Sequence, residues 1–330
     1  MDPKMTVRDA ASLLGVTERW VNKQLKSLAL PTTRFQGRLF FEHATAKSLF
    51  QFHFKAQVLV FHIVKGGTGK TSLAFEFSIR AHLHGARVLC IDMDQQGNLS
   101  QACQVDAERS PVMVDILAEN YSLKHAIQSV QEGLDILPSR IENSMLDEVI
   151  RLRGFHLDEV YAKPLNDLRK EYDLIVIDCP PSLGQSVAGL TLAADRVLVP
   201  VVPEKFAISG LELTHQAIRE LESKYQKSIP FEVILNKFDA RSKVSKQSLN
   251  WLQESPVYRN RLLPNYIRYS EEFIQSIAQG RSVFDTTKNT HAKQDIDWLT
   301  RHLLRPNASK PAEAVGAKSD LAALETLFVE

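Results

Sequence analysis

The chain has 330 residues, of which 44% are hydrophobic and 24% are charged, and its formal net charge is +1. No apolar run reaches the roughly 18 residues that a membrane-spanning helix needs, the first ten residues do not form a signal peptide, and Cys90, Cys103 and Cys179 lack the C-x-x-C spacing of zinc and redox sites. We therefore expect a cytoplasmic protein without disulfides or a membrane partner, built from one α/β domain and one or two smaller parts.

Residues 1–56 are the most basic part of the chain, with nine Lys and Arg against four Asp and Glu. An imbalance of this kind indicates a nucleic-acid partner. Thr6 and Thr17 each precede apolar residues at helical spacing, and Gly15 separates the two patterns, which predicts two short capped helices joined by a turn. The second helix carries the polar residues that we expect to contact DNA, namely Arg19, Asn22, Lys23 and Lys26.

The run TTRFQGRLFF predicts a strand hairpin that turns at Gln36-Gly37 and presents Arg34 and Arg38 to phosphates or to the minor groove. Together with the helix pair, this hairpin resembles the winged helix-turn-helix at the front of larger plasmid-type ParA proteins, and more loosely the MerR fold. The resemblance implies a small, mainly α-helical domain that binds operator DNA. The alternative is a solvated appendage whose charges have no partner.

A glycine-rich loop follows the apolar, β-branched run from Val58 to Val64 and precedes a helical pattern from Leu73 to Leu83. In a strand, glycine turn and helix of this kind, backbone N–H groups and the helix N-terminus converge on phosphate. The alternative is a chance glycine-rich turn. The predicted nucleotide-binding residues are Lys65, Gly66, Gly67, Thr68, Gly69, Lys70, Thr71 and Ser72.

Val64 occupies the place of the first glycine in the ordinary phosphate-loop motif, and an additional lysine, Lys65, precedes the glycine pair. The arrangement K-G-G-x-G-K-T resembles the deviant Walker A box of the ParA/MinD superfamily. The resemblance implies a P-loop NTPase fold with helices on both faces of a mostly parallel sheet, and ATP as the nucleotide. It also implies that Lys65 reaches across a dimer interface to the nucleotide of the other subunit.

Acidic residues follow two predicted strands, with Asp92 and Asp94 after one and Asp178 after the other. Because strands alternate with helices, we expect a parallel sheet whose carboxyl ends bring these acids to one edge. The run D-x-D-x-Q-x-N resembles the ParA switch I segment with Gln95 in place of a proline. The alternative is that the first two acids only cap the helix that begins at Asn98.

Within this resemblance, each acid has a separate role. Asp94 would orient the attacking water, and Asp92 would support the magnesium shell. Asp178 would hold a magnesium-bound water, while the hydroxyl of Thr71 would bind Mg²⁺ directly. Lys65 and Lys70 would neutralise charge on the transferred phosphoryl group.

Two further sets of residues are assigned downstream. Pro203 and Asn236 follow later strands and, within the resemblance, would flank the adenine ring. Arg241, Lys243 and Lys246 cluster at a predicted helix start, an unfavourable place for cations in the helix dipole, which suggests an external anion such as DNA phosphate. A solvated surface is the alternative interpretation for this cluster.

The chain is predicted to divide into residues 1–56, 57–305 and 306–330. A helix from about Thr45 to Phe54 would connect the first two parts. The tail would be a flexible linker followed by a short acidic amphipathic helix from Asp320 to Glu330. Membrane-binding helices are basic, so this acidic helix favours a protein partner or intramolecular docking.

The function implied by the resemblance is that of a partition ATPase. ATP and Mg²⁺ would close a homodimer, the dimer would bind DNA non-specifically on the nucleoid, and a ParB-like partner would stimulate slow hydrolysis to ADP and phosphate. The first domain would repress the partition operon. Alternatives are a nucleotide-sensing transcriptional regulator without cargo transport, a MinD-like membrane-associated positioning ATPase, and an iron–sulfur reductase of the nitrogenase iron-protein type. The sequence leaves the choice between plasmid and chromosome open.

Overall fold

The computed structural model describes residues 2–35, 37–119, 121–204, 207–286 and 288–305. The predicted linker and acidic helix of residues 306–330 lie outside the described residues. The first part of the chain contains β1 (Met5–Thr6), α1 (Val7–Leu14), α2 (Glu18–Ser27), β2 (Thr33–Phe35), β3 (Arg38–Phe41) and α3 (His43–Phe50).

The predicted helix pair and its caps are confirmed. The hydroxyl of Thr6 accepts a hydrogen bond from the backbone N–H of Asp9 at 3.1 Å, and that of Thr17 accepts one from Trp20 at 3.2 Å. Gly15 ends α1 with a left-handed φ of 67°, a conformation that glycine adopts without steric cost. Strands β2 and β3 pair antiparallel, and β1 pairs with the other edge of β3. The predicted hairpin strands are therefore present.

The predicted connecting helix from Thr45 to Phe54 is wrong at its end. Helix α3 stops at Phe50, because Gln51 takes a left-handed φ of 47° and closes the helix by donating its N–H to the carbonyl of Lys47. Residues 51–56 cross to the next part of the chain without helical structure.

The elements from residue 57 alternate between strands and helices. They are β4 (Gln57–Phe61), α4 (Lys70–Leu83), β5 (Val88–Asp92), α5 (Asn98–Ala102), α6 (Met113–Glu119), α7 (Leu123–Ala126), β6 (Gln128–Gln131), β7 (Leu134–Leu137), α8 (Leu146–Arg153), α9 (Ala162–Leu168), β8 (Leu174–Asp178), α10 (Gln185–Ala193), β9 (Arg196–Val201), α11 (Ala207–Tyr225), β10 (Phe231–Leu235), α12 (Lys243–Glu254), α13 (Glu271–Ala278) and α14 (His291–Leu304).

Within the described ranges the large sheet has the order β10-β9-β4-β8-β5-β7-β6, and its strands are parallel except for β6 at one edge. Alternate residues of β4 belong to two separate hydrophobic clusters, with Leu59 and Phe61 in one and Val58 and Val60 in the other. The sheet is therefore covered on both faces, as a parallel sheet requires. This confirms the predicted α/β fold.

The N-terminal segment packs on the face of the sheet that carries α4 and α14. Met5, Phe41 and Leu49 belong to the same hydrophobic cluster as Phe77 of α4 and Leu303 of α14. The predicted boundary near residue 57 is therefore crossed by a continuous core. No helix in the described part of the chain is both long and apolar enough to cross a bilayer.

Candidate nucleotide-binding site

The loop between β4 and α4 has the geometry of an anion cradle. Gly67 and Gly69 have left-handed φ values of 75° and 88°, and α4 begins immediately after Gly69. The first hydrogen bond within the helix runs from Leu73 N to Gly69 O at 2.9 Å. The preceding N–H groups of Lys70, Thr71 and Ser72 are thus left for an external acceptor, at the positive end of the helix dipole.

The two residues that follow β10 hold this loop in place through hydrogen bonds. The side-chain amide of Asn236 donates to the carbonyl of Thr68 at 2.7 Å, and Nζ of Lys237 donates to the carbonyl of Gly67 at 2.8 Å. A Cβ on Gly69 would lie 2.4 Å from Nδ2 of Asn236, so glycine is needed there for space as well as for φ. Asn236, predicted to flank adenine, therefore contacts the phosphate loop itself. The role of Lys237 was not predicted, and its position after a buried strand was the only signal.

Lys70 is buried inside the cradle, and its Nζ donates to the carbonyl of Lys65 at 3.3 Å. Burial lowers the pKa of Lys70, while the nearby carboxylates of Asp178 and Asp94 oppose that change. An ammonium group held in so dry a place is stabilised by anionic partners. Phosphate oxygens in the cradle would provide them.

The three predicted acids meet at the carboxyl edge of the sheet. Asp92 of β5 and Asp178 of β8 are register partners in the parallel ladder, and the N–H of Met93 donates to the carbonyl of Asp178 at 2.9 Å. Asp94 follows two residues after Asp92, and its carboxylate accepts the N–H of Gln96 at 3.0 Å. The predicted convergence of these acids is confirmed.

Asp92 and Asp178 differ in how their carboxylates are satisfied. Asp92 accepts the N–H and the hydroxyl of Ser100 at 2.9 and 2.8 Å, which fixes the first turn of α5. This is the helix-end role that was the alternative interpretation for Asp92. Burial raises the pKa of Asp92 to about 7, although the hydrogen bonds from Ser100 oppose the rise.

Asp178 is fully buried, and within the described ranges neither of its carboxylate oxygens meets hydrogen-bond geometry. Burial, followed by the charge of Asp92, raises the pKa of Asp178 well above its usual range, and the nearby hydroxyl of Thr71 opposes this rise. A buried acid without a hydrogen-bond donor fits a site for a cation or its bound water. The described residues contain no group of three or more His, Cys, Asp or Glu side chains arranged to hold a metal ion. Mg²⁺ here would therefore depend on phosphate oxygens and water as additional ligands, which is its usual coordination beside nucleotides.

His62 is a buried residue of the site that the sequence did not single out. It directly follows β4, and its pKa is lowered to about 3 by burial and by the charge of Lys70, against a hydrogen bond to the carbonyl of Pro180. A neutral imidazole therefore lies beside the cradle.

Lys65 lies at the rim of the loop. Its Nζ forms an ion pair with Oε2 of the exposed Glu204 at 2.7 Å. Glu204 follows Pro203, the other residue predicted to flank adenine, so the segment after β9 contacts the loop through this carboxylate. The two lysines of the motif therefore occupy different places, one inside the cradle and one outside it.

The comparisons with known proteins agree with this geometry. A family model described as an AAA domain matches residues 56–231, which is more than half of the chain. The virulence plasmid ParA family protein pGP5-D of Chlamydia muridarum is 31% identical over 261 residues, covering 75% of this chain and 92% of the relative. The chain belongs to the ParA/MinD family of P-loop ATPases.

Other relatives are more distant in sequence but cover more of the chain. The cell division protein PomZ of Myxococcus xanthus is 28% identical over 308 residues, covering 92% of this chain and 93% of its own. Among solved structures, the ATP complex of a McdA variant from Cyanothece matches 77% of this chain and 98% of its own, with a TM-score of 0.68 and 23% identity. At 23% identity, this match shows that the two proteins share a fold.

The N-terminal segment lies outside residues 56–231, the range that the AAA-domain family model matches. Its predicted DNA-contacting residues are at the surface. Arg19, Lys23 and Lys26 are exposed on α2. Asn22 is half-buried, and its side-chain amide donates to the carbonyl of Glu18 at 2.9 Å. A cavity of about 810 Å³ brings Asn22 together with Arg34 and Arg38 of the hairpin, and Arg8 and Lys288 also line it.

The second predicted DNA-contacting cluster lies at the N-terminus of α12, where the sequence predicted a helix start. Lys243 is the first residue of that helix, and the hydroxyl of Ser242 caps it by accepting the N–H of Ser245 at 3.3 Å. Lys243 and Lys246 are exposed, and Arg241 forms an ion pair with Asp239 at 3.1 Å. The positive charge of Arg241 is therefore partly balanced within the chain.

Proposed function

We propose that this chain is a partition ATPase of the larger ParA type. In this proposal it binds ATP with Mg²⁺, forms a homodimer in that state, and hydrolyses ATP to ADP and phosphate under stimulation by a ParB-like partner. The observation that carries the proposal is the separation of two lysines on one loop, with Lys70 inside the cradle and Lys65 at its rim. In this proposal the inner lysine binds the chain's own nucleotide, and the rim lysine exchanges its ion pair with Glu204 for the nucleotide of a second copy.

Each residue of the site has a defined task in this mechanism. The N–H groups at the start of α4 and the ammonium of Lys70 bind the phosphates and neutralise their charge. Thr71 and Asp178 would hold Mg²⁺, which would supply further positive charge to the transferred phosphoryl group. Asp94, fixed by its hydrogen bond from Gln96, orients the attacking water. The ATP complex of the McdA variant supports the choice of nucleotide.

DNA is the second ligand of the proposed function. The exposed cations of α2 and of the hairpin would bind operator DNA and repress the partition operon, while Lys243 and Lys246 would bind DNA phosphates without sequence preference. The names of the relatives, a cell division protein and a virulence plasmid ParA family protein, are compatible with positioning a large cargo. We propose that the protein is cytoplasmic, associates with the nucleoid and does not bind membrane.

The two lysines provide the central test. Lys70→Ala should abolish ATP binding in isothermal titration, because the variant lacks the only lysine inside the described cradle. Lys65→Ala should bind ATP normally and fail to form ATP-dependent dimers in light scattering. Lys170→Ala, at an exposed lysine paired with Asp167, is the matched control and should behave as wild type. ATP-dependent dimers of the Lys65 variant would refute the assigned role.

DNA binding is tested separately by gel shift on operator and random DNA with each nucleotide. Lys243→Ala should weaken binding to both DNAs equally and reduce the slope of log K against log salt by ~0.9. Lys23→Ala should weaken binding to operator DNA and leave binding to random DNA unchanged. Equal losses on both DNAs for the Lys23 variant would contradict a sequence-reading role for α2.

A nucleotide-sensing transcriptional regulator is the second candidate, and one observation favours it. The N-terminal segment packs directly on α4, the helix that begins at the phosphate loop. The rate of ATP turnover, measured with and without a centromere-binding partner protein, distinguishes the two functions. The partner should raise this rate for a partition ATPase and leave it unchanged for a pure sensor.

A further inference from the structure

A second cationic cavity lies between the N-terminal segment and the ATPase body, at the opposite end of α4 from the phosphate loop. It has a volume of about 230 Å³ and is lined by α1, α4 and α14. Its charged lining residues are Arg8, Asp9, Arg80, Lys293, Asp297 and Arg301. We call it the Arg80 cavity. Four cations thus face two carboxylates.

The carboxylate of Asp297 is shared by several partners. It lies 2.6 Å from Nε of Arg80, 2.7 Å from Nε of Arg301 and 3.5 Å from Nε2 of His84. Although burial acts in the other direction, the charges of Arg80 and Arg301 and the nearby imidazole of His84 hold the pKa of Asp297 well below its usual range. One acid therefore serves two guanidinium groups, and it leaves little negative charge for the rest of the cavity.

One cation of the cavity, Lys293, has no ion-pair partner among the described residues, and a second, Arg80, keeps one weakly bound nitrogen. Lys293 is 6% exposed, and its ammonium donates to the carbonyl of Thr286 and lies 5.6 Å from the centre of the Phe284 ring. No carboxylate in the described part of the chain forms an ion pair with it. Arg80 is 2% exposed; its Nε and Nη2 pair with Asp297, and only its Nη1 is left with a weak acceptor, the sulfur of Met5 at 3.5 Å. Burial lowers the pKa of Lys293 to about 8. The cavity therefore contains uncompensated positive charge.

We propose that the Arg80 cavity binds a small oxyanion of the phosphate class, and that this anion stabilises the docking of the N-terminal segment on the ATPase body. The ammonium of Lys293 and the Nη1 group of Arg80 that Asp297 does not bind provide charged donors for phosphate oxygens. Arg8 contributes from α1, so that one anion bridges both parts of the chain.

The size of the cavity limits the ligand. A volume of about 230 Å³ is below the ~300 Å³ at which pockets for drug-sized molecules begin. The cavity shares Arg8 and Asp9 with the neighbouring cavity of about 810 Å³. Inorganic phosphate would fit the inner space, and a phosphate monoester would place its organic part in the larger neighbour.

The test uses the full chain with Lys70→Ala, because the phosphate loop also attracts phosphate. Inorganic phosphate and phenyl phosphate are titrated calorimetrically at constant ionic strength into this protein, with and without Lys293→Met. We expect saturable binding that weakens at least tenfold when Lys293 is replaced. Lys170→Met, at an exposed lysine, is the matched control and should not change binding. Tighter binding of phenyl phosphate would identify the ligand as an organic phosphate. Tighter binding of inorganic phosphate would identify it as the free anion.

Arg8→Ala keeps the test decisive if the Lys293 variant does not fold. Arg8 is exposed at the mouth of the cavity, so its loss should weaken binding severalfold without changing thermal unfolding. Binding should also increase the protection of α1 amides against hydrogen exchange, which a role in folding alone would not do. Unchanged affinity in both folded variants, or no saturable binding to the Lys70→Ala protein, would overturn the proposal.

Discussion

Glu76 makes the stability of this protein depend on pH in a way that can be worked out from its contacts. It lies in the middle of α4 and is fully buried. The hydroxyl of Ser282 donates to its Oε2 at 2.6 Å, and the N–H of Val283 donates to its Oε1 at 3.1 Å. Burial raises the pKa of Glu76 from its ordinary 4.5 to about 8, although both hydrogen bonds oppose the rise. Near neutral pH the folded protein therefore keeps a proton that the unfolded chain has lost.

The sign and the size of the effect follow from proton linkage. Between the two pKa values the folded state binds one more proton than the unfolded state, so the free energy of unfolding falls as the pH rises. Each pH unit in that window corresponds to about 1.4 kcal/mol. From about pH 6 to about pH 8, where the folded group is itself half ionised, the loss due to Glu76 amounts to about 2 kcal/mol.

Glu76→Gln removes the ionisation and keeps the shape of the side chain. The amide can donate to the hydroxyl of Ser282 and still accept the N–H of Val283. We therefore expect the variant to lose about 2 kcal/mol less stability than wild type over the same pH interval. The measurement is urea unfolding followed by tryptophan fluorescence at several pH values.

Glu254→Gln is the matched control, since Glu254 is exposed at the end of α12 and its replacement should leave the pH slope unchanged. Other buried acids such as Asp92 are present in all three proteins and cancel in the difference. Equal slopes for wild type and the Glu76 variant would refute the linkage argument.

Three further substitutions test contacts of the site and of the domain interface. Asp178→Asn should abolish Mg²⁺-dependent ATP turnover and preserve ATP binding in chelator, because the carboxylate rather than the loop is lost; turnover at the wild-type rate would contradict the assignment. Asn236→Ala removes the hydrogen bond to the carbonyl of Thr68 and should weaken ATP binding about tenfold, a loss of about 1.4 kcal/mol in calorimetry. Asp297→Asn leaves two guanidinium groups without their carboxylate and should cost about 3 to 5 kcal/mol in urea unfolding; a loss below 1 kcal/mol, on the order of a surface pair, would show that the cluster is solvated.

The parts of the fold that could be predicted from sequence are those with a local cause. Helix α4 begins where Gly69 adopts a left-handed φ, and α1 and α2 begin where a threonine hydroxyl caps a free N–H. The sheet edge with its acids followed from continuous apolar strands and from the alternation of strands and helices. Each of these signals is contained within a few consecutive residues.

The parts that escaped prediction depend on contacts between distant residues. The sequence left open whether Asp92 or Asp178 is bound within the chain; the structure gives Asp92 the hydroxyl of Ser100, whereas neither oxygen of Asp178 meets hydrogen-bond geometry with a described residue. The support of the phosphate loop by Asn236 joins residues 168 positions apart. Helix α3 ended early because Gln51 took a left-handed conformation, which is uncommon for residues other than glycine, so its sequence did not indicate it.

Helix α4 connects the three features on which the proposals depend. Its first turn contributes to the phosphate cradle, and its middle holds the segment at Val283 through Glu76. Its last turn and the residue that follows it carry Arg80 and His84 to the cluster around Asp297. At 1.5 Å per residue its 14 residues span about 21 Å, so the phosphate loop and the N-terminal segment lie at opposite ends of this helix. A rigid-body movement of α4 on nucleotide binding must therefore carry the N-terminal segment with it or break these buried contacts. An anion in the Arg80 cavity would favour the first outcome, because it adds a bridge at the end where the segment is attached.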